Sequence, residues 1–182
     1  DRIFGEWSDD VLVGGPGDDF IDPGESFSED IVWGGTGDDI IFCDPDDRGS
    51  VYVSYALAAG PIVADLATGA VTGEGRDKLV QVDGVIGSEF DDTLRGSDGN
   101  DAFLDGGPGD DDIDGRGGRD KIAGYTGNDR LAGGRDNDLL FGESGDDRID
   151  ASQVRDPLGA YNVNVVALRL EGGPGNDTLL GS

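Results

Sequence analysis

Aspartate stands at the sixth place of one nonapeptide after another in this 182-residue chain. Five nonapeptides run without a break from 106 to 150: GGPGDDDID, GRGGRDKIA, GYTGNDRLA, GGRDNDLLF and GESGDDRID. Their sixth residues are Asp111, Asp120, Asp129, Asp138 and Asp147, and their first is always Gly. A carboxylate beside a tight turn suits one kind of chemistry. The turn leaves backbone carbonyls in need of partners, and calcium, a hard cation, takes about six to eight oxygens from carboxylates and carbonyls together. Alternate carbonyls of one turn can face an ion above it and another below. With turns on one side recurring every eighteen residues, Asp111 stacks on Asp129 and Asp129 on Asp147, while Asp120 stacks on Asp138 along the other side. Each turn is then shared by two ions, and two aspartates balance each ion.

Positioning these groups takes a strand and a corner. Position eight is aliphatic in every repeat, as Ile113, Ile122, Leu131, Leu140 and Ile149, between mainly polar neighbours, which is the alternation of a one-sided strand. The glycines give the positive φ that a chain reversing every nine residues needs. Rougher copies flank the block. Residues 1 to 42 hold a half-repeat with Asp1 and Ile3, then GEWSDDVLV (5 to 13), GGPGDDFID (14 to 22), ESFSEDIVW (25 to 33) and GGTGDDIIF (34 to 42). They supply Asp1, Asp10, Asp19, Asp30 and Asp39, with Ile3, Leu12, Ile21, Val32 and Ile41 expected to point inward. Repeat 25 to 33 lacks turn glycines and follows an inserted Pro23-Gly24, which weakens the site expected between Asp10 and Asp30. The Asp1/Asp19 and Asp19/Asp39 pairs are better formed. GSEFDDTLR (87 to 95) and GSDGNDAFL (96 to 104) add Asp92 and Asp101, placed to stack on Asp111 and Asp120, with Asp105 as one extra residue before the regular block. Beyond 150, ASQVRDPLG (151 to 159) keeps Asp156 but has Pro157 in its strand, so no ion is expected there. YNVNVVALRLE (161 to 171) reads as a longer strand, and GGPGNDTLL (172 to 180) is a last clean repeat with Asp177.

The repeat matches, position by position, the pattern G-G-x-G-x-D-x-U-x, and the chain resembles the RTX family of secreted calcium-binding proteins. The resemblance is close over 87 to 150 and looser over 43 to 86 and 151 to 171. It implies an all-β fold, a parallel β-roll (β-solenoid) of calcium-binding nonapeptide repeats with two repeats per turn. It also implies export from a Gram-negative bacterium by type I secretion, unfolded, with folding outside the cell in millimolar calcium. The chain then divides into a first repeat block (1 to 42), an apolar interlude (43 to 86), the main block (87 to 150), an irregular insert with a long strand (151 to 171) and a final repeat (172 to 182). The interlude is β-branched, with turn signals at Gly60-Pro61, Gly69 and Gly73 to Gly75, and reads as strands. Its Ser54-Tyr55 and Val63 to Leu66 resemble an interlude found in many RTX proteins. Its size fits two longer coils of the roll, the alternative being a small separate subdomain.

Composition supports the cation. Lys and Arg total 13 against 40 Asp and Glu, a net charge of −27, which argues against nucleic acid and anionic membranes as partners. The chain has no Met and reads as a piece of a longer protein, and it has no apolar run long enough to insert in a membrane. Cys43 is the only cysteine, so calcium takes the place of the disulfides common in secreted domains. The chain has no His, which removes H-E-x-x-H zinc sites and any Ser-His or Cys-His nucleophile pair. One inward aliphatic per repeat is a thin core against about 1–2 kcal/mol of backbone entropy per residue, so folding is expected to require metal, with about eight ions bound if every well-formed stack is filled. A non-catalytic calcium-dependent structural module is the leading reading; a polysaccharide- or cell-surface-binding module is the alternative, and an enzyme has no support. A glycan-binding row should show exposed aromatics or Arg at the eighteen-residue interval, for which Arg130 and Arg148 qualify. Outward positions are polar in the main block but hold Phe4, Val11, Val13, Phe20, Ile31, Trp33, Ile40 and Phe42 in residues 1 to 42. That apolar face is expected to be covered, by residues 43 to 86 folding back or by another domain or subunit.

Overall fold

The computed structural model describes residues 1–24, 29–44, 49–101, 103–151 and 169–181. Among them every regular element is a strand, and the strands form two sheets, A with eleven and B with eight. In the main block, Phe103–Pro108, Lys121–Thr126 and Leu139–Ser144 lie in sheet B, while Asp112–Asp114, Arg130–Ala132 and Arg148–Asp150 alternate with them in sheet A. One nonapeptide therefore carries the chain from one sheet to the other, and two complete a coil. Ile113 pairs with Leu131 and Leu131 with Ile149 in sheet A, and Ile122 with Leu140 in sheet B, all parallel. This is a parallel β-solenoid, a β-roll.

The core is what the repeat allows. One aliphatic side chain per strand enters the gap between the sheets, and Ile21, Ile41, Leu94, Ile113, Leu131 and Ile149 from sheet A meet Val32, Val53, Val85, Leu104, Ile122 and Leu140 from sheet B, all fully buried. The coils close because glycine leaves room at the corners. A Cβ at Gly106 would collide with the carboxylate of Asp111, and one at Gly127, whose φ is 134°, with the carbonyl oxygen of Gly109 in the coil before.

Both sheets run unbroken through the interlude. Ser50–Ser54 and Gly84–Ile86 fill sheet B between Glu29–Thr36 and Phe103–Pro108. Sheet A passes from Ile40–Phe42 to Thr93–Arg95 through Arg76–Val80, Ala70–Thr72 and Val63–Asp65, and Ala70–Thr72 runs antiparallel to both its neighbours. The chain thus pleats three strands in sheet A where a regular coil would place one.

Three details differ from the repeat as read. In residues 96 to 104 the extra residue falls before the strand, so Leu104 points inward and pairs with Ile122. Phe103 lies outside against Tyr52 and under the Lys121 ammonium. Asp105, the supposed spacer, takes position nine, opposite Ala123. Near the start, Pro23 and Gly24 are not inserted ahead of a turn but form its first two places, because a Cβ at Gly5 would collide with the Pro23 carbonyl and Gly24 has φ 85°. The third detail is the outer face of residues 1 to 42, which the described residues of the interlude leave uncovered: Phe4, Val11, Val13 and Ile40 are exposed, and Phe20, Ile31, Trp33 and Phe42 half-buried. The repeat at 151 to 159, past Ala151, lies outside the described residues, as does the longer strand at 161 to 171 except for Arg169–Glu171.

Candidate metal sites along the two flanks of the roll

Each turn ends on the position-six residue and leads into a strand, so turns entering sheet A line one flank and turns entering sheet B the other. On flank A, Oδ1 of each position-six aspartate accepts the N–H of its counterpart one coil earlier. The bonds run from Asp92 to Asp111 (2.8 Å), Asp111 to Asp129 (2.9 Å), Asp129 to Asp147 (2.9 Å) and Asp147 to Asp177 (3.1 Å). On flank B the same bonds join Asp101 to Asp120 and Asp120 to Asp138. In the first block they join Asp10 to Asp30 and Asp19 to Asp39, so the Asp10/Asp30 register survives the irregular turn. The amino group of Asp1 takes the corresponding place on Asp19 (2.5 Å).

Position one completes the cradle. A Cβ on Gly115 would collide with Asp120 Oδ2 and the Gly133 carbonyl of the next coil; on Gly14 it would meet Asp19 Oδ2 and the Gly34 carbonyl, and on Gly142 Asp147 Oδ2 and the Gly172 carbonyl. The second carboxylate oxygen thus converges with a backbone carbonyl from the adjacent turn. Both are acceptors, so neither satisfies the other. Oδ2 of Asp10, Asp19, Asp39, Asp111, Asp120, Asp129, Asp138 and Asp147 is buried without a hydrogen-bond donor. Burial pushes five of these carboxyls up, Asp120 to about 8, Asp111 and Asp129 to about 7, Asp39 and Asp138 to about 6; neighbouring aspartates add to the shift and the Oδ1 hydrogen bonds oppose it. A cation beside stacked, desolvated carboxylates that face carbonyls lowers the cost of ionising them. Among the described residues no three acidic or thiol side chains converge, and most ligands must therefore come from the backbone, which is how calcium is held in turns.

The thirteen aspartates read from the sequence do not all share this environment. Asp92 and Asp101 are buried, but serine at position two caps each of them. Ser88 gives Asp92 its N–H (2.5 Å) and hydroxyl (2.8 Å), and Ser97 does the same for Asp101 (2.9 Å each). Asp177 is half-buried and Asp1 exposed. Asp77 escaped the sequence reading. It is buried at position six of sheet A, with Oδ1 accepting the Asp39 N–H (3.1 Å) and Oδ2 the Tyr55 hydroxyl (2.8 Å), so a phenol satisfies the oxygen that is an orphan elsewhere in the columns. The stretch Gly73-Glu74-Gly75-Arg76-Asp77-Lys78-Leu79 carries the glycine, aspartate and aliphatic of the repeat and could have revealed it. Position five was also passed over as variable. Its Asp and Asn side chains form a second ladder running the other way: Asp91 accepts from Asp110, Asp110 from Asn128, Asn128 from Asp146 and Asp146 from Asn176.

A family model for the RTX calcium-binding nonapeptide repeat matches residues 1–21, 28–44, 86–122, 123–156 and 169–182. The chain belongs to the RTX calcium-binding repeat family. No curated protein matches it. Calcium is the cation that RTX repeats bind, and the donor set here fits it: orphan carboxylate oxygens facing carbonyls, in sites repeating once per coil. The RTX roll of this chain is a calcium-binding repeat module. No helix among its described residues is long and apolar enough to cross a membrane.

Proposed function

We propose that this RTX roll is the calcium-dependent folding and structural module of a larger protein secreted by a Gram-negative bacterium. It leaves the cell unfolded through a type I channel, folds outside, and is not itself an enzyme. The observation that supports this reading most is the pair of buried columns of unsatisfied carboxylate oxygens, which oppose folding until a divalent cation enters. With a net charge of −27 the chain repels itself and stays extended where calcium is scarce. The ligands assigned are Asp10, Asp19, Asp30, Asp39, Asp111, Asp120, Asp129, Asp138 and Asp147 with turn carbonyls; Asp1, Asp92, Asp101 and Asp177 are outer members of the same columns. The test is the calcium midpoint of folding followed by circular dichroism. A midpoint of about 10⁻⁴–10⁻³ M, the range of extracellular modules, supports folding outside the cell, and a chain already folded at submicromolar calcium contradicts it.

A second reading, polysaccharide binding, is favoured by one observation. Phe4, Phe20 and Phe42 form a column on the outer face of sheet A, with ring centroids 6.2 and 6.5 Å apart and the Arg2 guanidinium over the first two. Retention of the calcium-loaded roll, and loss of retention by Phe20→Ala, on a polysaccharide affinity gel tests it. The same face is the proposed seat of another domain or subunit if no sugar binds.

A further inference from the structure

On flank B of the main block, Gly115 and Gly133 present their position-one carbonyls to the Oδ2 side of Asp101 and Asp120 in the coil before. Gly96 begins the first turn of this series; in the coil before it the position-six aspartate is Asp83, just ahead of Gly84–Ile86, and its Oδ2 accepts the Val51 N–H (2.9 Å). That coil leaves sheet A at Asp65 and enters the hairpin back to Ala70–Thr72. The level therefore also has a carboxylate at the hairpin, Asp65, and a carbonyl, Gly96. Between them lies a guanidinium. Arg116 donates from Nη1 to the Gly96 carbonyl (2.9 Å) and to Asp65 Oδ1 (2.9 Å), and from Nη2 to Asp65 Oδ2 (2.6 Å). A two-pronged contact of this kind is the strongest neutralisation that a side chain can give a carboxylate.

Arg116 reaches this place at some strain. It occupies position two of its repeat, where the backbone has positive φ; Gly107 and Gly134 hold that place in two other repeats, while Arg116 (φ 68°), like Tyr125 (φ 82°) and Glu143 (φ 69°), holds it with a side chain. Left-handed backbone is disfavoured for a residue with a Cβ relative to glycine. The side chain then spans three levels: its own turn, the turn of Gly96 and the hairpin of Asp65. Another turn arginine of this flank does not do this. Arg135 pairs with Asp98 at the surface (2.6 Å), where both side chains are more than half exposed.

We propose that Arg116 is a built-in cation that closes the flank B column where the interlude begins, holding the Asp65 carboxylate and the Gly96 carbonyl in place of a calcium ion. This rests on the reading of the turns beyond it as calcium sites. It makes the column asymmetric: levels after Gly115 depend on dissolved calcium, whereas the level at Gly96 carries its own charge. The interlude is then joined to the main block by contacts that a chelator cannot remove.

Native mass spectrometry at saturating calcium tests this on Arg116→Gly, which also relieves the backbone, and on Arg116→Asn, which tolerates left-handed φ. Each vacates a carboxylate and a carbonyl, and each is expected to bind one more calcium ion than the unaltered chain. Arg135→Gly serves as the control and is expected to bind the same number as the unaltered chain. An unchanged or lower count in both Arg116 variants, or the same gain in Arg135→Gly, overturns the proposal. An unaltered chain that binds no calcium instead overturns the reading of the turns as calcium sites.

Discussion

Replacing Asp111 by Asn separates the two jobs of a position-six carboxylate. Asn keeps the Oδ1 acceptor that takes the Asp92 N–H at 2.8 Å and leaves the Asp111 N–H free to bond Asp129. It exchanges the orphan Oδ2 for an amide nitrogen, a donor suited to the Gly124 carbonyl nearby. In chelator at pH 8 the native carboxyl, pushed from 3.8 to about 7, must ionise in a buried place. At about 1.4 kcal/mol per pH unit, removing that charge should raise the stability of the metal-free roll by up to roughly 4 kcal/mol. Calcium should then contribute less. An ion present at about 100 times its dissociation constant stabilises by about 2.7 kcal/mol, and Asp111 stacks between the turns of Asp92 and Asp129. The increment in stability between chelator and excess calcium should therefore shrink by about 3–5 kcal/mol. Urea unfolding followed by circular dichroism at a series of calcium concentrations, with stability extrapolated to zero calcium, measures both quantities. Lower stability in chelator, or an unchanged calcium increment, would refute the claim that these carboxylates are buried for the sake of a cation.

The pH dependence should have opposite signs with and without calcium. Because folding raises Asp39, Asp111, Asp120, Asp129 and Asp138 from 3.8 to between about 6 and about 8, the metal-free roll is most stable below about pH 4 and weakens as pH rises through that window. In calcium, acid should instead shift the midpoint to higher calcium, and equal slopes in the two buffers would contradict the sign. Asp129→Ala, in the middle of its column, should raise the calcium midpoint more than Asp177→Ala, whose carboxylate is half-buried and accepts the Asp147 N–H at the end of the column. Tyr55→Phe leaves Asp77 Oδ2 buried without its donor and should cost about 1–3 kcal/mol in calcium and in chelator alike; a loss confined to one buffer would mean that the phenol does not act in place of an ion.

The roll was legible because its period repeats on both levels of structure. Asp111, Asp129 and Asp147 stack as their spacing requires, since a strict nine-residue unit leaves the coil no other register. Legibility failed where the unit changes length. At Pro23-Gly24 the proline occupies a place usually held by glycine, and only the stacked Gly5 identifies it as the start of a turn. At 96 to 104 either Phe103 or Leu104 could have faced inward; pairing with Ile122 decides for Leu104, and that is a tertiary fact. The antiparallel strand Ala70–Thr72 left no mark in a stretch that is β-branched throughout. Asp77 and Tyr55 were invisible as a pair because 22 residues separate them. The position-five ladder was a different failure: its Asp and Asn were in plain view, yet an exposed polar residue next to the repeated aspartate looks like solvent-facing filler.

The most direct measurement is a crystal structure of the chain grown in calcium, with anomalous difference density collected at long wavelength. Peaks between successive turns, each within bonding distance of a position-six carboxylate and a position-one carbonyl, are expected along the columns of Asp111, Asp129 and Asp147 and of Asp120 and Asp138, with none beside Arg116. A folded roll with no anomalous density in these cradles would contradict the account.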